Sequence, residues 1–166
     1  MFLSGCAPKG TGAMFSYSAP PTNMAHVTHY RLGALSGSYW SYLLYSNGKF
    51  VTRIGNGGYY TESLEPGVYE YKILKRAHGH PVLIYNIGEA IDNSFAKIEI
   101  AHTITAAAGM EYYIKWEIIW GGIRATKVEK KVALSDLKDL HRFEFEDHKT
   151  TAEDAFNTKT AEPKEE

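Results

Sequence analysis

The run from Met110 to Trp120 alternates between apolar side chains and a mostly polar set. The apolar positions are Met110, Tyr112, Ile114, Trp116, Ile118 and Trp120, and charged residues at 111, 115 and 117 fall between them. Successive side chains of a β-strand point to opposite faces, so a period of two indicates a strand with one buried and one solvated face. We therefore predict a sheet covered on one side, with residues 110–120 as one of its strands.

Other short runs with strand character follow one another at regular intervals. They are Ala25–Leu32, Tyr39–Tyr45, Phe50–Ile54, Tyr59–Leu64, Val68–Lys75, Val82–Ile87, Phe95–Ile104 and Ile123–Val128. Asn47-Gly48 favours a type I′ hairpin turn, and Pro66-Gly67 favours a type II turn. This spacing predicts an all-β fold, a β-sandwich of about eight short antiparallel strands, with a small barrel as the alternative.

Helical spacing of apolar residues occurs near the C-terminus. Leu134, Leu137 and Leu140 recur at this spacing, and Ser135 or Asp136 could cap the turn. We predict one short C-terminal helix over 134–140.

The segments on either side of the strand-rich region have a different composition. Residues 7–24 are rich in Pro, Gly, Ser and Thr, which predicts a flexible tether. The polar residues 147–166 are predicted to be a disordered tail. The predicted domain spans residues 25–146 and includes a short strand at 142–146.

Composition excludes several classes of protein. The 166 residues carry a formal net charge of −1, which does not suit a nucleic-acid binder that must neutralise many phosphates. The single cysteine, Cys6, excludes an internal disulfide and any site built on several cysteines. No stretch approaches the roughly 20 apolar residues that a membrane-spanning helix requires.

The first residues contain a motif for lipid attachment. Leu3-Ser4-Gly5-Cys6 is similar to the bacterial lipobox, in which a branched apolar residue and two small residues precede a cysteine that carries the lipid. Small side chains let the signal peptidase approach the backbone, and the cut would fall between Gly5 and Cys6. We predict lipid attachment at Cys6. Because Ala7 follows in place of the aspartate typical of inner-membrane retention, we expect the periplasmic face of the outer membrane.

The segment that precedes the motif is too short for a complete signal peptide. A signal peptide needs a basic region and 7–15 apolar residues before its cleavage site, and five residues precede Cys6. Either the recorded start lies downstream of the true one, or the match is accidental. In the second case, Cys6 is a free thiol and the chain is a soluble cytosolic adaptor.

Several short segments resemble a family of bacterial envelope lipoproteins that share a domain of unknown function (type 2846). The segments are Tyr30-Arg31, Asn47-Gly48-Lys49-Phe50-Val51, Gly58-Tyr59-Tyr60, Leu64-Glu65-Pro66-Gly67-Val68-Tyr69 and Gly109-Met110-Glu111-Tyr112-Tyr113-Ile114. The resemblance covers about residues 25–140 and implies an envelope lipoprotein with a β-sandwich. It brings no catalytic residues. The segment 76–95 and the C-terminal tail depart from the family pattern.

Histidines give the clearest candidate for a metal or catalytic site. His78-Gly79-His80 could bind one ion, with His102 or His141 completing the site, or it could serve an envelope hydrolase. No carboxylate stands nearby at ligand spacing, so an ordinary exposed turn is the favoured interpretation. We predict no metal and no cofactor.

Two other patterns also favour structural interpretations. Glu111 and Glu117 could form an acid/base pair, but a charged solvent face explains the alternation without further assumptions. Gly55-Asn56-Gly57-Gly58 joins two strands and opens no helix, so a turn is favoured over a phosphate site. There is no Gly-x-Ser-x-Gly elbow for a nucleophile, and we predict that the protein is not an enzyme.

Aromatic residues supply the candidate binding surface. Trp40, Trp116 and Trp120 could stack on sugars but are predicted to lie mainly in the core. Tyr42, Tyr60 and Tyr113 are predicted on the outer faces, where exposed aromatic groups mark partner surfaces. The predicted function is a lipid-anchored binding or structural module, whose partners are the membrane and an unknown envelope protein or glycan.

Overall fold

The computed structural model describes residues 10–35, 40–77, 99–119 and 122–143. The strands are β1 (Ala25–Arg31), β2 (Trp40–Ser46), β3 (Lys49–Ile54), β4 (Gly58–Leu64), β5 (Gly67–Ala77), β6 (Glu99–Ala106), β7 (Glu111–Ile119), β8 (Gly122–Val128) and β9 (His141–Arg142), with one helix, α1 (Lys130–Leu137). The predicted strand at 82–87 lies outside the described residues.

Two separate sheets confirm the predicted β-sandwich. The five-stranded sheet has the order β8-β7-β1-β4-β9, and the four-stranded sheet has the order β3-β2-β5-β6. β1 pairs with β7, and β4 with β9, in parallel, whereas the other pairings are antiparallel. The prediction of antiparallel strands is therefore wrong for these two pairings, because strand patterns along the chain carry no information on which distant strands become neighbours.

The hairpin between β2 and β3 forms as its dipeptide predicts. Asn47 and Gly48 have φ angles of 47° and 79°, the left-handed conformation that a type I′ turn requires. The Asn47 side chain also donates to the Val68 carbonyl at 3.2 Å and accepts from the Glu70 amide at 2.9 Å. The turn residue therefore ties the hairpin to β5 in the same sheet.

The main core lies between the sheets and follows the alternation of β7. Tyr112, Ile114 and Trp116 are at most 9% exposed and pack against residues of the opposite sheet. Burial of such large apolar groups is the main favourable term in folding. The prediction that Trp116 belongs to the core is confirmed. Trp120 lies outside the described residues.

Helix α1 begins four residues earlier than predicted and covers the outer face of the five-stranded sheet. It runs from Lys130 to Leu137, and the residue before it makes no side-chain cap. Ala133 and Leu137 are fully buried against a group of tyrosines on that face. Asp136, predicted as a possible cap, instead accepts from Tyr30 at 3.0 Å and from Lys115 at 3.1 Å. Tertiary packing thus sets the position of the helix.

Residues 10–24 do not behave as the free tether that their composition predicts. The Gly12 amide donates to the Arg142 carbonyl at 3.0 Å, and the Arg142 amide donates back to Ala13 at 2.9 Å. The Phe15 amide donates to Leu140 at 2.9 Å, and the Phe15 ring packs edge-on against Tyr59. We call residues 10–15 the strap. Its backbone finds partners in β9 and the preceding turn, which composition does not reveal.

Candidate functional site

A cleft opens between the two sheets along β3 and β4. These consecutive strands belong to different sheets and diverge from a corner at residues 55–57. In the described chain, β9 pairs only with the first two residues of β4, so the rest of β4 is an edge strand, as is β3. The cleft is open to solvent, has a volume of about 340 Å³ and is lined by Ser46, Asn47, Lys49, Phe50, Val51, Tyr60, Glu62, Leu64 and Tyr69.

Glu62 forms the floor of this cleft. Its side chain points inward from β4 and is 11% exposed. Its Oε1 atom accepts a hydrogen bond from Tyr71 Oη at 2.6 Å and lies 3.0 Å from His29 Nε2. Burying a carboxylate is costly unless donors compensate for the lost water, and these two donors do so. Both contacts converge on Oε1.

The hydrogen bond from Trp116 fixes the tautomer of His29. The Trp116 indole Nε1, which can only donate, lies 3.3 Å from His29 Nδ1. Nδ1 must therefore accept, which places the imidazole proton on Nε2, where it points to Glu62. His29 is fully buried and packs edge-on against the Tyr71 ring at 4.6 Å. We call Trp116, His29, Glu62 and Tyr71 the inner network.

Tyr71 stays a donor across the accessible pH range. Burial, followed by the charge of Glu62 and the hydrogen bond to it, raises the pKa of the Tyr71 phenol far above its ordinary value. Tyr71 comes from β5 in one sheet and Glu62 from β4 in the other. The inner network therefore joins the two sheets and presents a carboxylate with a fixed orientation to the cleft. Chemically, it is a preorganised hydrogen-bond acceptor.

A second polar cluster lies on the outer face of the five-stranded sheet. Glu111 Oε1 accepts from Tyr17 at 2.5 Å, and Oε2 accepts from Tyr113 at 3.0 Å and pairs with Lys130 at 2.8 Å. Burial raises the pKa of Glu111, but the hydrogen bonds from Lys130, Tyr17 and Tyr113 together outweigh it, so the pKa lies below its ordinary value. The predicted charged solvent face is wrong for Glu111, because its carboxylate contacts Tyr17 and Lys130, the first residue of helix α1.

Glu111 predicts a pH dependence of stability. A carboxyl group whose pKa is lower in the folded state stabilises the fold above its unfolded pKa of about 4.3, and the contribution disappears as pH falls through the folded pKa. Glu111→Gln should lower the free energy of unfolding at neutral pH by about 1 kcal/mol. Urea unfolding from pH 7 to pH 3 should show the difference from wild type shrinking with acid. A constant difference across this range contradicts the prediction, and Glu129→Gln, with an exposed side chain, is the control.

The three predicted surface tyrosines lie in different environments. Tyr42 is 3% exposed and belongs to the core between the sheets, so its predicted outward position is wrong. β2 is apolar at too many positions for its faces to be told apart. Tyr113 does lie on the outer face, but helix α1 covers it and leaves it 5% exposed. Tyr60 is half-buried, packs against the core between the sheets and lines the cleft, so its predicted position on an outer face is also wrong.

The predicted cysteine and histidine sites are not assembled within the described residues. Cys6, His78 and His80 lie outside the described residues. His102 is on β6 and His141 on β9, in different sheets, and the His141 ring contacts the Gly12 carbonyl. Within residues 10–35, 40–77, 99–119 and 122–143, no three His, Cys, Asp or Glu side chains are grouped to hold a metal ion.

His29 and Glu62 were missed by the reasoning from sequence. Each is a polar residue at an inward position of its strand, next to apolar inward residues, although the following inward position of β1, Arg31, is also polar and buried. Val27 precedes His29 by two, and Tyr60 and Leu64 flank Glu62 at the same spacing. A polar group at such a position must find a buried partner, and this is the signal that could have found them.

Fold and cleft together define the class: a small β-sandwich with a carboxylate-floored cleft between its sheets. Comparison with known proteins found no match to any family model, curated protein or solved structure. The resemblance to envelope lipoproteins accordingly remains a prediction. No helix in the described residues is long and apolar enough to cross a membrane.

Proposed function

We propose that this protein is a lipid-anchored envelope module that binds a polyhydroxylated ligand, such as a sugar unit of a glycan, in the cleft between β3 and β4. The observation that carries the proposal is the orientation of Glu62, which His29 and Tyr71 hold at the cleft floor. Binding pockets combine apolar walls with a few fixed polar groups that provide specificity. A sugar offers the complementary hydroxyl donors.

The walls of the cleft suit a sugar ring. Tyr60 and Tyr69 are half-buried and line the cleft, so aromatic side chains border the carboxylate. Lys49 adds a donor at the cleft. A carboxylate and an ammonium group in one cleft fit a neutral ligand with both donors and acceptors better than a cation, which Lys49 would repel.

Binding fits the cleft better than hydrolysis. Glycosidases place two carboxyl groups on either side of the scissile bond, and Glu62 is the single carboxylate among the described lining residues. His29 has no exposed surface and reaches the cleft only through Glu62. These features support a binding module, in which Glu62 is an acceptor and His29 and Tyr71 position it.

Glu62→Gln tests the binding proposal. The substitution keeps the size of the side chain but removes its charge, and a hydrogen bond to a charged group contributes about 1.5–3 kcal/mol. A panel of immobilised bacterial glycan fragments should bind the wild type, and the affinity of Glu62→Gln should be about 10–100-fold lower. Glu65→Gln, an exposed neighbour just beyond β4, should bind like the wild type.

Two results would contradict the cleft proposal. One is equal glycan binding by wild type and Glu62→Gln. The other is no binding of any glycan, together with tight binding of small ammonium compounds, which would make the cleft a cation site.

The proposed location in the cell envelope rests on the motif Leu3-Ser4-Gly5-Cys6. Metabolic labelling with a fatty-acid probe, on protein expressed from its native locus, should label the wild type and Ser18→Ala but not Cys6→Ala. Cys6→Ala should also leave the membrane fraction, because two or more lipid chains are what hold a protein stably. An unlabelled, soluble wild type would contradict the anchor and favour the cytosolic adaptor.

A further inference from the structure

The strap brings the start of the described chain into contact with one end of the sandwich. The Gly10 amide donates to the Gly57 carbonyl at 3.4 Å. A methyl group built on Gly10 would lie 2.1 Å from the His141 carbonyl oxygen, so no side chain fits there. The chain is therefore held against the domain from residue 10 onward.

This contact limits how far the domain can stand from a lipid on Cys6. Only residues 7–9 separate Cys6 from Gly10. A fully extended chain spans at most about 3.6 Å per residue, so four steps reach no more than about 14 Å. A free 18-residue tether is not present between the anchor position and the fold.

An exposed leucine lies at the same end of the sandwich. Gly57 lies against Gly33, since a methyl group built on Gly57 would be 3.5 Å from the Gly33 Cα atom. Asn56 holds the adjacent loop through two hydrogen bonds with the backbone of Ala34, at 2.9 Å and 3.1 Å. Leu35 follows directly and is 98% exposed. We call Gly10, Leu35 and Gly57 the anchor end.

The cleft lies towards the opposite end. β4 starts at Gly58, next to the anchor end, and Glu62 and Leu64 follow along it. A strand rises about 3.4 Å per residue, so Glu62 is about 14 Å and Leu64 about 20 Å further from the anchor end. Ser46 and Asn47, at the β2–β3 turn, line the cleft near this far end.

We infer that the domain docks on a phospholipid bilayer through its anchor end, with Leu35 at the lipid interface, and presents the cleft away from that membrane. The inference rests on the proposed lipid anchor and deepens it. The short reach from Cys6 holds the anchor end near the membrane surface at high local concentration. Contact between Leu35 and the bilayer therefore has to set the orientation of the domain and does not have to supply its membrane affinity. The ligand would then be a glycan reached from the aqueous side, not a headgroup of the anchoring membrane.

Paramagnetic relaxation on the full chain tests this orientation. The Cys6 thiol is coupled to a maleimide phospholipid in nanodiscs of phosphatidylethanolamine and phosphatidylglycerol that contain a gadolinium-chelating lipid. Relaxation is then measured at the ¹³C-labelled methyl groups of Leu35 and Leu64, with Leu35→Ala and Leu64→Ala identifying the signals. Protein with a blocked Cys6 gives the baseline.

The expected result is relaxation enhancement several-fold stronger at Leu35 than at Leu64. Equal enhancement, or a stronger effect at Leu64, would overturn the inference. Because the coupling is chemical, this outcome does not depend on lipidation in the cell. If the proposed lipid anchor is wrong, the mass of the native protein will show no lipid on Cys6. If only the proposed orientation is wrong, the native protein will carry the lipid and the nanodisc measurement will show no stronger relaxation at Leu35.

Discussion

Replacing His29 by leucine is expected to lower the free energy of unfolding by about 3 kcal/mol. The substitution leaves Glu62, which is 11% exposed, with Tyr71 as its remaining donor in the inner network. It also removes the acceptor of the Trp116 indole N–H. Losing one partner of a buried polar pair costs more than losing both, because the surviving group keeps its desolvation penalty.

A double-mutant cycle isolates the pair. Glu62→Leu alone leaves the His29 N–H and the Tyr71 hydroxyl without their acceptor. The double variant His29→Leu/Glu62→Leu should therefore cost at least about 1 kcal/mol less than the sum of the single variants, as measured by urea unfolding.

The same two strands provide a matched control on the opposite face. Thr28 and Thr61 lie on β1 and β4, and their hydroxyl groups are 2.9 Å apart. The cycle through Thr28→Val and Thr61→Val should show a smaller coupling, because no charge is left buried. If His29 and Glu62 give additive effects, the interpretation of the inner network as one unit is wrong.

Replacing Trp116 by alanine is expected to lower the free energy of unfolding by about 4 kcal/mol. The side chain is 1% exposed and lies in the core between the sheets, so its removal leaves a large cavity. It also deprives His29 Nδ1 of its donor, which frees the imidazole to change tautomer. Both effects act in the same direction.

Trp116→Phe separates these two effects. It retains most of the apolar volume and loses the indole N–H, so it should cost about 1–2 kcal/mol. Ile119→Ala, at the exposed end of the same strand, should change the stability by less than about 1 kcal/mol. Equal losses for Trp116→Phe and Trp116→Ala would mean that the hydrogen bond, and not the packing, dominates at this position.

Helix α1 illustrates why some expectations failed. The spacing of Leu134, Leu137 and Leu140 predicted a helix, and a helix is present, but it starts at Lys130. The start depends on which residues pack on the sheet, and Ala133, which carries little signal of its own, is fully buried there. A helix over the outer face also explains why Tyr113 is buried although its strand parity points outward.

The local pattern of the chain determined most of the strands, the Asn47-Gly48 turn and the inward face of β7, because side-chain alternation and turn conformation depend on neighbouring residues alone. Only the tertiary structure decided which strands pair, that the strap packs on β9, and that the inner network assembles. His29, Glu62 and Tyr71 come from three strands in two sheets, and their hydrogen bonds exist only once those sheets face each other. The candidate site is therefore a property of tertiary packing, since each of its hydrogen bonds joins residues of different strands, between 9 and 87 positions apart in the chain.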